Sequence, residues 1–221
     1  MCGRFMVTVS RKLLAERFAV AGKLPALEPN VNIAPSQAAA AVVAGAQGGR
    51  RLELMRWGLT PSWPAAGRAL LINARAESLA EKPAFQRLLE RQRCLIPATG
   101  FYEWQKMPDG RRRPWCYALP DDAPFAFAGL WDTMHDADGR DFRAFTIVTT
   151  AANDLIRPVH DRMPVLLAPE AEAAWLDPAG QAPADLLPLL KPCPAHRLHS
   201  RDAASLLAQP GKPSVQTLLP F

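Results

Sequence analysis

The chain has no apolar run long enough to cross a bilayer, so no membrane-spanning helix is expected. Nor does it open with a basic stretch followed by an apolar one, the pattern of a secretory signal. Its four cysteines stand far apart, at 2, 94, 116 and 193, which argues against a disulfide framework and for a reducing, cytoplasmic setting. Neither of the common glycine-rich phosphate loops is present, and no Gly-x-Ser-x-Gly elbow marks a serine hydrolase. Cys193, His196 and His199 cluster loosely, but without a partner pair at zinc-like spacing they make no metal site, and no cofactor is expected. With no linker and no internal repeat, the 221 residues are expected to form a single domain over 1–221.

Proline, by contrast, is abundant: the 22 prolines are about twice the average share and favour constrained loops over a mostly helical fold. Hydrophobic residues make up 49% and charged residues 21%, ordinary for a globular protein. Lys+Arg 26 against Asp+Glu 21 gives a net charge of +5, which suits an anionic partner such as nucleic acid without demanding one. Arginine supplies most of the positive charge, and its planar fork grips phosphates bidentately.

Ser10 followed by Arg-Lys-Leu-Leu-Ala-Glu-Arg-Phe reads as an N-cap and an amphipathic helix with Leu13, Leu14 and Phe18 on one face. Residues 22–36 read as an ordered loop. Strands are expected over 39–43 and 52–57, joined by the glycine-rich turn 45–49, and then over 94–98, 101–106, 114–119, 125–130, 143–149 and 163–168. Prolines at 83 and 169 start two further helices, the first with Phe85, Leu88 and Leu89 as its apolar stripe. The pattern predicts an α+β fold: a mainly antiparallel sheet or partly closed barrel with peripheral helices.

The second residue carries the most specific chemistry. Removal of Met1 would leave Cys2 with a free α-amine and a thiol on adjacent carbons, a pair that traps aldehydes. The amine titrates near roughly pH 8, against about 10.4 for a lysine amine, so much more of it is unprotonated near neutrality. A Schiff base formed there can be closed by the thiol into a five-membered thiazolidine.

Three other segments set polar residues among apolar or rigid neighbours: 71–77 with Asn73 and Arg75, 100–104 with Glu103, and 158–164 with His160 and Arg162. Glu103 is either a solvent-facing member of an alternating strand or, if it faces a pocket, a carboxyl whose burial suits it to proton shuttling. His160 sits between prolines 158 and 164 in a rigid turn, and Asn73 is either a turn cap or a site residue. Arg4, Arg75 and Arg162 are either solvated surface charges or a phosphate-gripping rim.

Six blocks are more specific in combination: Met-Cys-Gly-Arg-Phe at the start, Asn-Ile-Ala-Pro at 32–35, Trp-Gly-Leu-Thr-Pro-Ser-Trp at 57–63, Ile-Asn-Ala-Arg-Ala-Glu at 72–77, Cys-Leu-Ile-Pro-Ala-Thr-Gly-Phe-Tyr-Glu-Trp at 94–104, and His-Asp-Arg-Met-Pro at 160–164. In this order, from residue 1 to about 176, they resemble the SRAP (SOS response-associated peptidase) family. The resemblance implies a monomeric sensor of abasic sites in single-stranded DNA that crosslinks itself to the lesion through mature Cys2. It also implies strand-cleaving lyase activity, removal of Met1 and reversal of the crosslink. On this resemblance Cys2 is the nucleophile, Asn73 and His160 hold and polarise the ring-opened sugar, and Glu103 shuttles protons. Arg4, Arg75 and Arg162 then face the flanking phosphates, while Pro35 and Trp63 are rigid surfaces against which flanking bases unstack. The chain departs from the family at Pro64, where some relatives carry a second tryptophan, and after Leu198, where an expected Val-Ser and Val-Asn pattern is missing. Two other readings remain. N-terminal nucleophile glutamine amidotransferases also begin Met-Cys-Gly, but their His-Arg-Gly-Pro-Asp element has no counterpart here, and a non-catalytic single-strand binder would make Cys2 incidental.

Overall fold

The structure is a computed structural model that describes residues 2–45, 48–60, 70–178 and 182–208. In chain order the strands are β1 (Phe5–Val7), β2 (Asn30–Ile33), β3 (Ala38–Ala44), β4 (Arg50–Trp57), β5 (Asn73–Arg75), β6 (Arg93–Ala98), β7 (Gly100–Lys106), β8 (Arg112–Ala118), β9 (Phe125–His135), β10 (Asp141–Ala151), β11 (Arg162–Pro164), β12 (Leu166–Leu167) and β13 (His199–Asp202). The helices are α1 (Arg11–Arg17), α2 (Pro83–Arg91), α3 (Pro169–Leu176), α4 (Pro183–Leu186) and α5 (Ala204–Ala208). Among the described residues no helix is long and apolar enough to cross a membrane.

Two sheets result. One has the order β13-β8-β7-β1-β2, and the other runs β11-β10-β4-β3-β6-β9-β12 with β5 added on β10. Because β10 also pairs with β9, the ring β10-β4-β3-β6-β9 returns on itself. Closure is partial: β3 meets β6 at one register pair, Val42 with Leu95, and β4 meets β10 at two. The α+β, partly closed barrel read from the sequence is the observed architecture.

Aromatic side chains join the sheets. Phe5 of β1 lies edge-on to Trp57 at 5.1 Å and to Phe127 at 5.9 Å, Trp57 stacks on Phe145 at 6.3 Å, and Phe101 reaches both Tyr117 (5.4 Å) and Phe127 (5.9 Å). Phe5→Ala would cost about 3–5 kcal/mol, since both sheets close over that ring. On the opposite face of the first sheet, Met6, Tyr102 and Cys116 pack with Ala203 and with Leu206 and Leu207 of α5.

Most expected elements are present, with instructive differences. Ser10 caps α1 through a bond from Leu13 N–H at 3.3 Å, but only Leu14 and Phe18 are buried; Leu13 is 43% exposed. The expected loop 22–36 contains β2, an edge strand that needs a ladder on one side only and was hidden by its two asparagines and the flanking Pro29 and Pro35. The expected strand 163–168 divides into β11 and β12, which pair with β10 and β9 respectively. Strands β9 and β10 are longer than expected, each running 11 residues as one hairpin. The tail, illegible in sequence, supplies β13 and α5.

Candidate active site

The site forms where the chain's start crosses the first sheet and meets the end of β10. Cys2 is fully buried just before β1, which pairs antiparallel with β7 through Phe5 with Phe101 and Met6 with Gly100. Gly100 lets the strands approach closely there, since a Cβ would stand 2.5 Å from the Met6 Cε, which would have to move, and 3.2 Å from the Tyr117 carbonyl oxygen. The Arg4 carbonyl accepts the Tyr102 N–H at 3.0 Å, which fixes residues 2–4 against β7.

Side chains in β7 alternate. Phe101 points into the shared core and Tyr102 into the α5-covered cluster, so Glu103 points inward, and it is only 3% exposed. The solvent-facing alternative for Glu103 is thereby removed. Burial holds its pKa above the ordinary carboxyl value, and the charge of Asp161 adds to the effect. Burial likewise raises the Cys2 thiol, with the Glu103 carboxylate as the next cause.

Asn73 opens β5, which pairs in parallel with β10 through Ile147. Its Nδ2 donates to the Cys2 carbonyl at 2.9 Å, and its buried Oδ1 has no hydrogen-bond partner. An acceptor left this way costs about 1–3 kcal/mol. Across β10, the Ala151 with Arg162 pairing of β11 positions the preceding His160. The turn leading to it is anchored by Asn153, whose Oδ1 accepts the Ile156 N–H at 3.0 Å and whose Nδ2 donates to the Cys193 carbonyl at 2.7 Å. The Arg162 backbone N–H donates to His160 Nδ1 at 3.0 Å. Burial lowers the His160 pKa below its ordinary value, although Asp161, 2.8 Å from Nδ1, acts the other way.

Cys2, Asn73, Glu103 and His160 thus meet at one place. The arginines differ among themselves. Arg4 donates through Nε to Asn32 Oδ1 at 3.0 Å and through Nη1 to the Gly3 carbonyl at 3.2 Å. Arg162 is not a loose, solvated charge: Nη1 and Nη2 pair with both Glu77 oxygens at 2.8 and 2.9 Å, and Nη2 also reaches the Thr149 carbonyl at 2.7 Å. Arg162 accordingly holds the Glu77 carboxyl below its ordinary pKa. Arg75 is exposed. Pro35 is half-buried in the turn Ala34–Gln37, which is held by Ser36 N–H to the Trp57 carbonyl at 2.8 Å. Met1 and Trp63 lie outside the described residues.

The sequence does not mark Asn32, Glu77 and Asp161 as site residues, although each shares a quoted motif with one that it does mark. Their roles depend on partners 28, 85 and 58 positions away, Arg4, Arg162 and Glu103, so local pattern carries no signal for them. Among the described residues no group of three or more His, Cys, Asp or Glu side chains is arranged to hold a metal ion.

Residues 1–210 match the SOS response associated peptidase (SRAP) family. The abasic site processing protein YoaM of Bacillus subtilis is 37% identical over 222 residues, which cover 99% of this chain and 97% of the relative. The abasic site processing protein YedK of Escherichia coli is 34% identical over 125 residues, covering 57% of this chain and 54% of the relative. Among solved structures, a protein from Bacteroides thetaiotaomicron superposes with a TM-score of 0.82 at 24% identity, covering 96% of this chain and 97% of that one, and so shares its fold. One from Bordetella bronchiseptica gives 0.76 at 27% identity, covering 91% and 99%. By sequence over nearly its whole length, and by fold, the chain belongs to the SRAP family.

Proposed function

We propose that this protein processes abasic sites in single-stranded DNA by crosslinking itself to them through mature Cys2. The observation that carries the reading is the setting of Cys2. Asn73 holds its carbonyl, its thiol is buried within the field of Glu103, and that carboxyl also feels the charge of Asp161, which contacts His160. The names of the matched relatives support abasic DNA as the substrate.

The pKa shifts order the steps. A thiol raised by burial is a poor first nucleophile, so the α-amine attacks the ring-opened aldehyde. Protonated Glu103 gives its proton to the hydroxyl of the carbinolamine, which leaves as water and forms the iminium. The Glu103 carboxylate then takes the thiol proton as sulfur adds to the iminium carbon, closing the thiazolidine and restoring the acid. One water is lost overall and Glu103 ends as it began. Asn73 and His160 orient the sugar oxygens, and Arg4, Arg75 and Arg162 face the flanking phosphates with Pro35 and Trp63 against the bases. Arg162 exchanges part of its Glu77 pairing for phosphate. Strand cleavage by β-elimination and reversal of the crosslink belong to the same imine chemistry, and the protein acts as a monomer in the cytoplasm.

Incubation of wild type and Cys2→Ala with abasic single-stranded DNA, followed by denaturing electrophoresis, tests this. The wild type should give a shifted band and the variant none; a band of undiminished intensity in the variant defeats the mechanism. Glutaminase activity without such a band would favour the amidotransferase reading. Equal, fully salt-reversible binding of intact and abasic strands would favour a simple binder.

A further inference from the structure

Glu103 has a direct cross-strand neighbour that the chemistry above leaves unused. The β7–β8 ladder pairs Glu103 with Trp115 and Gln105 with Arg113, and the β8–β13 ladder pairs Trp115 with Asp202. Residues directly opposite on antiparallel strands share a face, with Cβ atoms about 5 Å apart. Since Phe101 and Glu103 point to the site side, Trp115 stands beside Glu103 on that side, between two carboxylate positions.

The indole is fixed and its surroundings are polar. Its Nε1 donates to Gln105 Oε1 at 2.9 Å, and the Arg113 guanidinium lies over its ring at 4.7 Å. Arg113 is 47% exposed and is drawn to Asp202, 44% exposed, by a bond from Nε to Oδ2 at 2.8 Å. Trp115 itself is half-buried, packed on the main core at its base. Core packing alone explains neither the side-chain hydrogen bond nor the stacked, exposed cation. An exposed ion pair contributes little stability, so Arg113 can exchange Asp202 for a phosphate. An aromatic platform beside an exchangeable arginine has the composition of a subsite that holds a single-stranded nucleotide without reading its base.

We propose that Trp115 and Arg113 form a nucleotide ledge beside Glu103, on which a base flanking the lesion takes the place of the guanidinium over the indole while its phosphate draws Arg113 away from Asp202. The proposal rests on the DNA reading above and extends the strand's path across the β7–β8–β13 edge.

The test uses oligothymidylates with a tetrahydrofuran residue, which has no aldehyde, at the lesion position, and a second base-free spacer moved through the neighbouring positions. Affinity is read by fluorescence anisotropy. At one spacer position the loss from removing the base and the loss from Trp115→Leu should not add: the variant should bind base-bearing strands about tenfold more weakly and that spacer strand as tightly as wild type does. Trp115→Phe should retain most of the affinity. Arg113→Gln should lower the slope of log affinity against log salt by about one, and Asp202→Asn, which keeps the acceptor for the Ala204 N–H, should tighten binding. An equal loss on every strand, or none, with Trp115→Leu overturns the ledge alone. Failure of the wild type to bind any of the strands overturns the DNA reading itself.

Discussion

Two glutamates of this chain are almost fully buried, Glu103 at 3% exposure and Glu172 at 2%, and their surroundings are opposite. Glu172 of α3 meets Arg17 of α1 at 2.7 Å and Arg50 of β4 at 3.2 Å, so two guanidinium groups neutralise it and it ties three distant elements together. Burial and the like charge of Asp161 push Glu103 toward its protonated form, with the amino-terminal charge acting the other way, and Asn73, bonded to the Cys2 carbonyl, carries an unsatisfied oxygen. One carboxylate is held in two ion pairs that tie the fold together. The other is arranged to exchange a proton, at a cost in stability, as expected of a reacting site.

The largest effect that would break this comparison lies at Glu172. Glu172→Ala leaves Arg17 and Arg50 facing a void, and loss of one partner of a buried pair costs about 3–5 kcal/mol. Urea unfolding should show that loss, while crosslinking per folded molecule stays at the wild-type level in the cold. A fall in crosslinking without a fall in stability would reverse the roles assigned to the two carboxylates.

Asn73→Ala should do the reverse. It removes the bond to the Cys2 carbonyl together with the orphaned oxygen, so stability should move by about 1 kcal/mol or less while the rate of adduct formation falls at least tenfold, as expected from a misplaced nucleophile. Single-turnover gel assays beside thermal melts separate the two quantities.

The smallest effect is the most diagnostic of Glu103. Its pKa in the fold lies above its unfolded value, so its contribution to stability is fully present below the unfolded carboxyl pKa and is lost as pH rises through the folded one. Glu103→Gln should therefore be slightly more stable than wild type at pH 8 and equal to it at pH 4. Over the same rise the wild-type crosslinking rate should lose its dependence on the Glu103 acid, and the variant should be slow and lack that limb. A variant less stable at pH 8 would show that Glu103 is a structural anion like Glu172.

Much of this was legible in the sequence, and the gaps have physical causes. Strands β3, β4 and β6 through β10 announced themselves because their apolar residues sit between clear turns, such as Asp109-Gly110 with Gly110 at φ 82°. Strand β5 has three residues and takes its conformation from β10, so nothing local marks it. The side on which Glu103 lies was open in sequence, because Tyr102 and Trp104 are as apolar as Phe101; the α5 cover over Tyr102 decides it. The pairing of Arg162 was hidden in sequence because its partner Glu77 is 85 residues away. Glu172 looked like a first-turn acid of α3, and only the tertiary approach of Arg17 and Arg50 made it a tie.

The central claim is that the amine and thiol of mature Cys2 together capture the abasic aldehyde. Intact-mass analysis of the protein–DNA adduct, followed by peptide mapping, tests it most directly. The account predicts a protein lacking Met1, joined to DNA with the loss of one water, with the linkage on the N-terminal cysteine. An adduct that retains Met1, or one attached at a lysine, would contradict it.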